Sequence, residues 1–368
     1  MAKKRRLEKR PKLKAIDFFC GAGGVTCGFN KAGIKVLAGI DVDHSCRDTY
    51  EKNNRGSKFI HADISQYTPE KLEEDTGIER HDDNLIFVGC SPCQYYTIIH
   101  TSKEKSAKSK LLLEDFKSFV DFFRPGYVFI ENVPGLETNQ DSPLQSFKSF
   151  LTRNGYIFDD RVVNACYYNV PQSRRRYVLV ASRVTEEIHV PDERGNKRMT
   201  VRNFIEPQKG FPPIRAGHRD KTKLQHTCAK LEDVNLERIK KTPLNGGTRL
   251  TWKDNPELQL SCYIGKDDMF RDVYGRMYWD QPSPTITTKF FSISNGRFGH
   301  PEQNRAISLR EGATLQSFPR SYKFHSSNIE SIARMIGNAV PPNMAKKIGE
   351  ALIKNKTNGS IQGKSKSR

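Results

Sequence analysis

Short apolar runs alternate with amphipathic stretches through the first half of the chain. Residues 14–19, 36–40, 58–64, 84–88 and 127–130 read as buried strands, because each is a brief apolar run bounded by glycine, proline or acid. A helix-like stretch reaches about Ala32 after the first run. Residues 111–123 place Leu112, Phe116, Phe119, Val120 and Phe123 at helical spacing, and Pro125-Gly126 ends them. Residues 144–151 predict another helix, and 156–165 with 177–181 a closing pair of strands. Strands alternating with helices predict an α/β fold with a doubly wound, Rossmann-like sheet. Residues 186–280 lose that rhythm and carry Pro207, Pro212, Pro213 and Gly246-Gly247, which predicts a second, smaller domain.

The candidate chemistry lies where the apolar runs end, as it does in open α/β sheets, whose ligands sit beyond the carboxyl ends of the strands. The first run passes into Cys20-Gly21-Ala22-Gly23-Gly24, where bare backbone and a helix N-terminus can approach a ligand. Asp41 follows Gly21 by 20 residues, the spacing at which a carboxylate meets ribose hydroxyls in nucleotide-binding units. The third run ends at Asp63. The fourth runs into Gly89-Cys90-Ser91-Pro92-Cys93-Gln94 and presents Cys93 as a nucleophile, although a half-buried thiol in a turn is the plainer reading of that residue alone. The fifth delivers Glu131-Asn132-Val133. Gln172-Ser173-Arg174-Arg175-Arg176 precedes the last strand, so Arg176 either faces solvent or points into the crevice. Residues 95–110, rich in Lys and Ser, are either a surface loop or a lid over an anionic substrate.

The net charge of +19 favours a polyanionic partner. Residues 1–14 hold +7 of it and 354–368 hold +5, so much of the excess lies in two tails, 1–13 and 354–368, that read as disordered. No apolar run approaches the ~20 residues of a membrane span. No secretory leader is visible, and the eight cysteines read as free thiols of a cytoplasmic protein. Cys90 and Cys93 form a Cys-x-x-Cys, which raises a redox pair or half a zinc site; no second such pair follows, so no metal is expected.

Six motifs in this order resemble the DNA (cytosine-5)-methyltransferases, of the bacterial restriction-modification type. They are Phe18-Phe19-Cys20-Gly21-Ala22-Gly23-Gly24, Pro92-Cys93-Gln94, Glu131-Asn132-Val133, Gln172 to Arg176, residues 305–319 with Arg310-Glu311, and Gly337-Asn338-Ala339-Val340-Pro341-Pro342-Asn343. The resemblance covers about residues 14–185 and 280–353. It implies a catalytic and cofactor-binding domain over 14–185, a target-recognition domain over 186–304, and a segment over 305–353 that returns to the first domain. It implies S-adenosyl-L-methionine as cofactor. Phe19, Gly21, Ala22, Gly23 and Gly24 would line its pocket, Asp41 would hold the ribose, and Val42 would meet the adenine face. Asp63, with Ile64, would meet the adenine amine, Pro92 the methionine end, and Asn338 would reach in from the C-terminal segment.

The same resemblance makes Cys93 the nucleophile toward C6 of a flipped cytosine, Glu131 the group at N3, and Arg176 the group at O2, with Arg174 near the sugar-phosphate. Gln94 and Asn132 would shape the base pocket, and Gln172 and Thr285 would lie at the DNA. The partners implied are double-stranded DNA and a cognate restriction endonuclease, met by a monomer associated with the nucleoid. A basic cluster in the recognition region (Lys209, Arg215, Arg219, Lys221, Lys223) suits phosphates, but which residues read bases is not legible. The chain departs from the commoner pattern at Tyr95-Tyr96, at Ser308 where threonine is frequent, and at Thr314 where arginine is frequent. The last leaves open how the 305–319 helix is tied. Two rivals remain: the same chemistry on tRNA, against which the absence of a Cys-Phe-Thr tripeptide counts, and an inactive DNA-binding paralogue, against which the presence of Cys93, Glu131 and Arg176 counts.

Overall fold

The structure, a computed structural model, describes residues 12–92, 103–222 and 224–362, with side chains for 12–92, 111–222 and 224–355. Its first part runs β1 (Lys14–Phe18), α1 (Gly24–Ala32), β2 (Lys35–Asp41), α2 (Arg47–Asn53), β3 (Lys58–His61), α3 (Pro69–Thr76) and β4 (Leu85–Gly89). It continues through α4 (Lys103–Phe123), β5 (Tyr127–Asn132), α5 (Gly135–Thr138), α6 (Leu144–Arg153), β6 (Ile157–Asn164) and β7 (Arg175–Ser182). The strands form one sheet in the order β3-β2-β1-β4-β5-β7-β6. The pairs among β1 to β5 are parallel, while β7 runs antiparallel to both β5 and β6.

Alternation along the strands builds a core on each face of this sheet. Ile16, Phe18, Phe87, Val128 and Ile130 face Phe116, Phe119 and Phe147 of α4 and α6. Ala15, Ile86, Val88 and Phe129 face Val25 and Phe29 of α1, together with Met344 and Ile348. The last two belong to α11 (Pro342–Gln362), so the C-terminal segment returns to the first domain. Because β1 leads outward to β2 while β4 leads the other way, the carboxyl ends of β1 and β4 flank a crevice where the winding reverses.

Two helix boundaries differ from the pattern-based expectation. Helix α4 begins at Lys103, so part of the expected 95–110 loop is helical. Its first turns are polar but rich in good helix formers, which apolar spacing does not register. Helix α11 continues through Gln362, past the expected boundary at 353.

The smaller part contains the short helices α7 (Arg202–Ile205) and α8 (Asp233–Lys241) and little other regular structure. Leu231, Ile239, Trp252, Leu258, Tyr274 and Ile293 form its own core. A further cluster joins it to the sheet: Ala22 and Tyr50 pack with Phe211, Trp279, Phe290, Phe318 and Met335. The helices α9 (Leu309–Leu315) and α10 (Ile329–Asn338) lie in that junction. Ser308 caps α9 in a reciprocal box with Glu311. Arg310 takes up the tie left open by Thr314. It is buried and donates to the Leu224 carbonyl at 2.6 Å, Gln225 Oε1 at 3.0 Å and the Tyr322 carbonyl at 2.8 Å.

Candidate active site

A cavity of about 380 Å³ fills the crevice beyond β1, β2, β4 and β5. Phe19, Gly21, Ala22, Gly24, Asp41, Val42, Asp63, Ile64, Pro92 and Asn338 line it, together with Glu131, Asn132, Arg174 and Arg176. The expected cofactor end and the expected chemical end therefore share one space. Asp17, Asp41, Asp43 and Asp63 lie on the β1–β3 side with Arg334 beside Asp43, and Glu131 lies at the other end with Arg174, just before β7, and Arg176, near its start.

At the first end, Asp41 organises the backbone. Its Oδ2 accepts from the Gly21 amide at 2.7 Å and its Oδ1 from the Asp43 amide at 2.8 Å. Each oxygen keeps lone pairs for a ribose. Burial raises the Asp41 carboxyl and the two amide bonds oppose that rise. Val42 leaves 64% of its surface exposed at the cavity, which suits an apolar ring laid over it. Asp63 Oδ1 accepts from the Ser65 amide and hydroxyl at 3.0 and 2.8 Å, which fixes the turn after β3.

Asp17 was missed from the sequence, although an acid interrupting an apolar run just before the glycine turn was a visible signal. It is buried, lines the cavity, and takes 2.6 Å and 3.2 Å bonds from Thr26 Oγ1 and the Thr26 amide on Oδ2. Its Oδ1 has no hydrogen-bond partner among the described residues. A cationic ligand group would satisfy it. Burial pushes this carboxyl up to about 7 against the lowering effect of Thr26. The folded protein thus holds a proton that the unfolded chain releases near pH 4. Stability of the ligand-free protein is expected to fall as pH rises from about 4 to about 7 and to level off above. Asp17→Asn should remove that portion of the pH dependence. Paired melting curves from pH 4 to 8 check it, and parallel curves for the two proteins would contradict it.

Arg334 of α10 was also missed: it pairs with Asp43 at 3.0 Å and closes the cavity rim from the far end of the chain. No local signal marks so distant a pairing.

At the other end, Glu131 stands where β5 stops, and Arg176 Nε lies 3.1 Å from its Oε1. Both are largely buried. Asn132 donates from Nδ2 to the Ser91 carbonyl and hydroxyl, each at 3.2 Å, and so holds the turn that leads to Cys93. Cys93 and Gln94 themselves lie outside the described residues, as does the segment 95–102. Cys90 lines the cavity, and burial together with the Glu131 charge pushes its thiol up, which keeps it protonated.

Four expected site residues are fixed by contacts within the fold. Gly23 does not line the cavity; its backbone is left-handed at φ 87°, and an added Cβ would meet Asn54 and Tyr322. Gln172 is fully buried. Its Oε1 accepts from the Ile286 amide at 2.9 Å and its Nε2 donates to Gln316 Oε1 at 2.8 Å, so it ties the two domains. The Thr285 hydroxyl donates to the Ser173 carbonyl at 2.9 Å and seats its segment against the loop before β7. Arg174 is buried, with Nη1 3.4 Å from the Ile286 and Gly337 carbonyls. It forms part of the cavity wall there.

A seven-stranded sheet of this order, with its cavity at the winding reversal, is the Rossmann-like fold of methyltransferases. The profile of the C-5 cytosine-specific DNA methylases matches residues 13–354, and the chain belongs to that family. It is 37% identical to the Type II methylase M.HgiDII of Herpetosiphon aurantiacus, over 92% of this chain and 94% of the relative. It is 28% identical to the Type II methyltransferase M1.BsuMI of Bacillus subtilis, over 90% of this chain and 78% of the relative. Among solved structures, an Escherichia coli prophage protein described as a DNA modification methyltransferase superposes with a TM-score of 0.72 at 21% identity, covering 94% of this chain and 100% of that one. The Schizosaccharomyces pombe Dnmt2 methyltransferase superposes at 0.59 and 18% identity, covering 93% of this chain and 99% of its own. No helix among the described residues is long and apolar enough to cross a membrane.

Proposed function

We propose that this enzyme methylates C5 of a flipped-out cytosine within a specific sequence of duplex DNA, through a covalent bond between Cys93 and C6. The observation that carries the reading is the Glu131–Arg176 pair in the same cavity as the glycine turn and Asp41. S-adenosylmethionine, when bound, supplies the electrophilic methyl group that C5 takes. Asp41, Val42, Asp63 and Asn338 fit its nucleoside, and the unpartnered oxygen of Asp17 fits its ammonium group.

The chain's own groups do the rest. The Cys93 thiolate adds to C6, which breaks the ring's aromaticity and makes C5 nucleophilic. Glu131 hydrogen-bonds N3 and the exocyclic amine and stabilises the charge that develops there. Arg176 holds O2 with a planar, permanently charged fork. Loss of the C5 proton to a base then lets Cys93 leave as thiolate, and the ring is restored. Asn132 keeps the nucleophile turn in place through Ser91. The Type II names of the relatives support a role beside a restriction endonuclease.

Methyl-labelled S-adenosylmethionine offered with duplex DNA and, separately, with total tRNA tests the substrate. Label in duplex DNA as 5-methylcytosine is the expected result. Label confined to tRNA would keep the chemistry and overturn the substrate. Asp41→Ala is expected to weaken cofactor binding about 10- to 100-fold by calorimetry, since the two bonds it accepts from backbone amides and the ribose contact go together.

A further inference from the structure

The turn that carries Gly21 and Ala22 is loose by its own chemistry. Phe19, Gly21 and Gly23 stand at φ 61°, 49° and 87°, so three of five successive residues are left-handed and one of them is bulky. Such backbone keeps a single shape only where its surroundings over-determine it. Two ties come from residues that themselves line the cavity. The Gly21 amide is held by Asp41 at 2.7 Å, and a Cβ added to Gly24 would lie 2.3 Å from the Val340 carbonyl.

The third tie comes from behind the turn. The buried Tyr322 hydroxyl donates to the Ala22 carbonyl at 2.5 Å and accepts from Asn54 Nδ2 at 2.9 Å. Asn54 Nδ2 also donates to the Tyr50 carbonyl at 2.8 Å, so the end of α2 fixes the direction of that amide. A Cβ added to Gly23 would sit 2.8 Å from the Tyr322 hydroxyl and 2.6 Å from Asn54 Nδ2, so the turn is packed directly on both. Tyr322 does not line the cavity, whereas Ala22 does.

Tyr322 belongs to a strap, residues 319–325, between α9 and α10. One side of the strap is bonded to α2. The Lys323 amide donates to Asn53 Oδ1 at 2.8 Å, the Lys323 carbonyl accepts from Asn53 Nδ2 at 2.6 Å, and the His325 amide donates to Thr49 Oγ1 at 2.8 Å. The other side is bonded to the smaller domain. The Phe324 amide donates to Gln225 Oε1 at 3.0 Å, and the Phe324 carbonyl accepts from Gln225 Nε2 at 2.8 Å. Arg310 holds Gln225 and the Tyr322 carbonyl together. A chain of bonds therefore runs from Gln225, outside the cavity, to Ala22 in its wall.

We propose that Tyr322 is a positioning residue for the cofactor: its hydroxyl holds the glycine turn in the shape that receives S-adenosylmethionine, and the strap lets the smaller domain set that shape. The inference rests on the cofactor reading proposed above. Without the hydroxyl, the Ala22 carbonyl and the Asn54 amide each lose a partner, and the left-handed turn spreads over other conformations. Only the fraction in the receiving shape binds, so apparent affinity falls by that fraction. Glu131 and Arg176 stand outside this chain of bonds, so the chemical step at saturating cofactor is spared.

The test uses the full chain and S-adenosylmethionine, with Kd from calorimetry, KM for the cofactor, and single-turnover rates at saturating cofactor. Tyr322→Phe removes the hydroxyl and keeps the ring among Phe318 and Phe324. Gln225→Ala, at a half-buried position, loosens the strap from the smaller domain. Tyr156→Phe is the matched control, because it removes another buried tyrosine hydroxyl bonded to a carbonyl, that of Pro125 at 2.6 Å. Tyr322→Phe is expected to raise the cofactor Kd and KM about 10-fold and Gln225→Ala about 3-fold, with saturated rates within about twofold of wild type. Tyr156→Phe is expected to lower the melting temperature and leave Kd unchanged. A Kd for Tyr322→Phe within twofold of wild type would overturn the proposal, as would an equal rise in Tyr156→Phe, which would mark general loosening. An unchanged Kd in Gln225→Ala would overturn the part given to the smaller domain. A wild type that binds no S-adenosylmethionine would overturn the cofactor reading, and this inference with it.

Discussion

Glu131→Gln is expected to slow methyl transfer about 10²- to 10⁴-fold while leaving cofactor affinity within about twofold. The glutamine keeps the shape of the carboxyl at the end of β5 but cannot share a proton with N3 when the thiolate adds. Nor can it balance Arg176, whose Nε lies 3.1 Å from Glu131 Oε1 in a largely buried pair. Without that partner the guanidinium keeps its charge and loses its neighbouring anion. Cofactor affinity is the control, because Glu131, near the end of β5, lies at the other end of the cavity from Asp41 and Val42. Single-turnover rates with duplex DNA, set beside calorimetric cofactor binding, separate the two effects. A rate within tenfold of wild type would remove Glu131 from the chemistry.

The second large effect concerns stability. Glu311→Gln is expected to cost about 3–5 kcal/mol, because it strands the guanidinium of Arg305 where solvent cannot reach it. The two side chains are fully buried and joined at 2.7 and 2.8 Å. Glu311 also closes the cap of α9 by accepting from the Ser308 amide at 2.6 Å. Against its burial, the Arg305 charge and its hydrogen bonds hold the Glu311 carboxyl well below the usual range. Its contribution is therefore present above the unfolded carboxylate value and lost as pH falls below it. Urea unfolding at pH 7 and pH 4 measures both: the variant should lose more at pH 7 than at pH 4. Equal losses would mean that the ion pair does not stabilise the junction.

Much of the large domain was legible because its strands and helices carry their own period. Ile16 and Phe18 face one side and Ala15 the other, as alternation demands. The cofactor end was legible for a related reason. Glycine turns and an acid at a fixed spacing are local in sequence, so Gly21 and Asp41 could be paired before the fold was known, and they meet at 2.7 Å. What sequence could not give were contacts between remote segments. Gln172 resembles a site residue, yet its amide joins Ile286 and Gln316 across the domain junction. Arg334 and Asp43 meet only because α10 returns to the sheet. The smaller domain was least legible, since its loops are set by Arg249, Arg276 and Arg297 bonding to carbonyls. A guanidinium bound to backbone leaves no complementary residue in the sequence to find.

The covalent step is the centre of the account, and Cys93→Ala addresses it most directly. Wild type and variant are incubated with methyl-labelled S-adenosylmethionine and duplex DNA, and the product nucleosides are separated. The account predicts labelled 5-methylcytosine from the wild type and none from Cys93→Ala, with cofactor binding retained by both. Label in 5-methylcytosine from the variant would contradict it, because the ring would then be activated by some group other than Cys93.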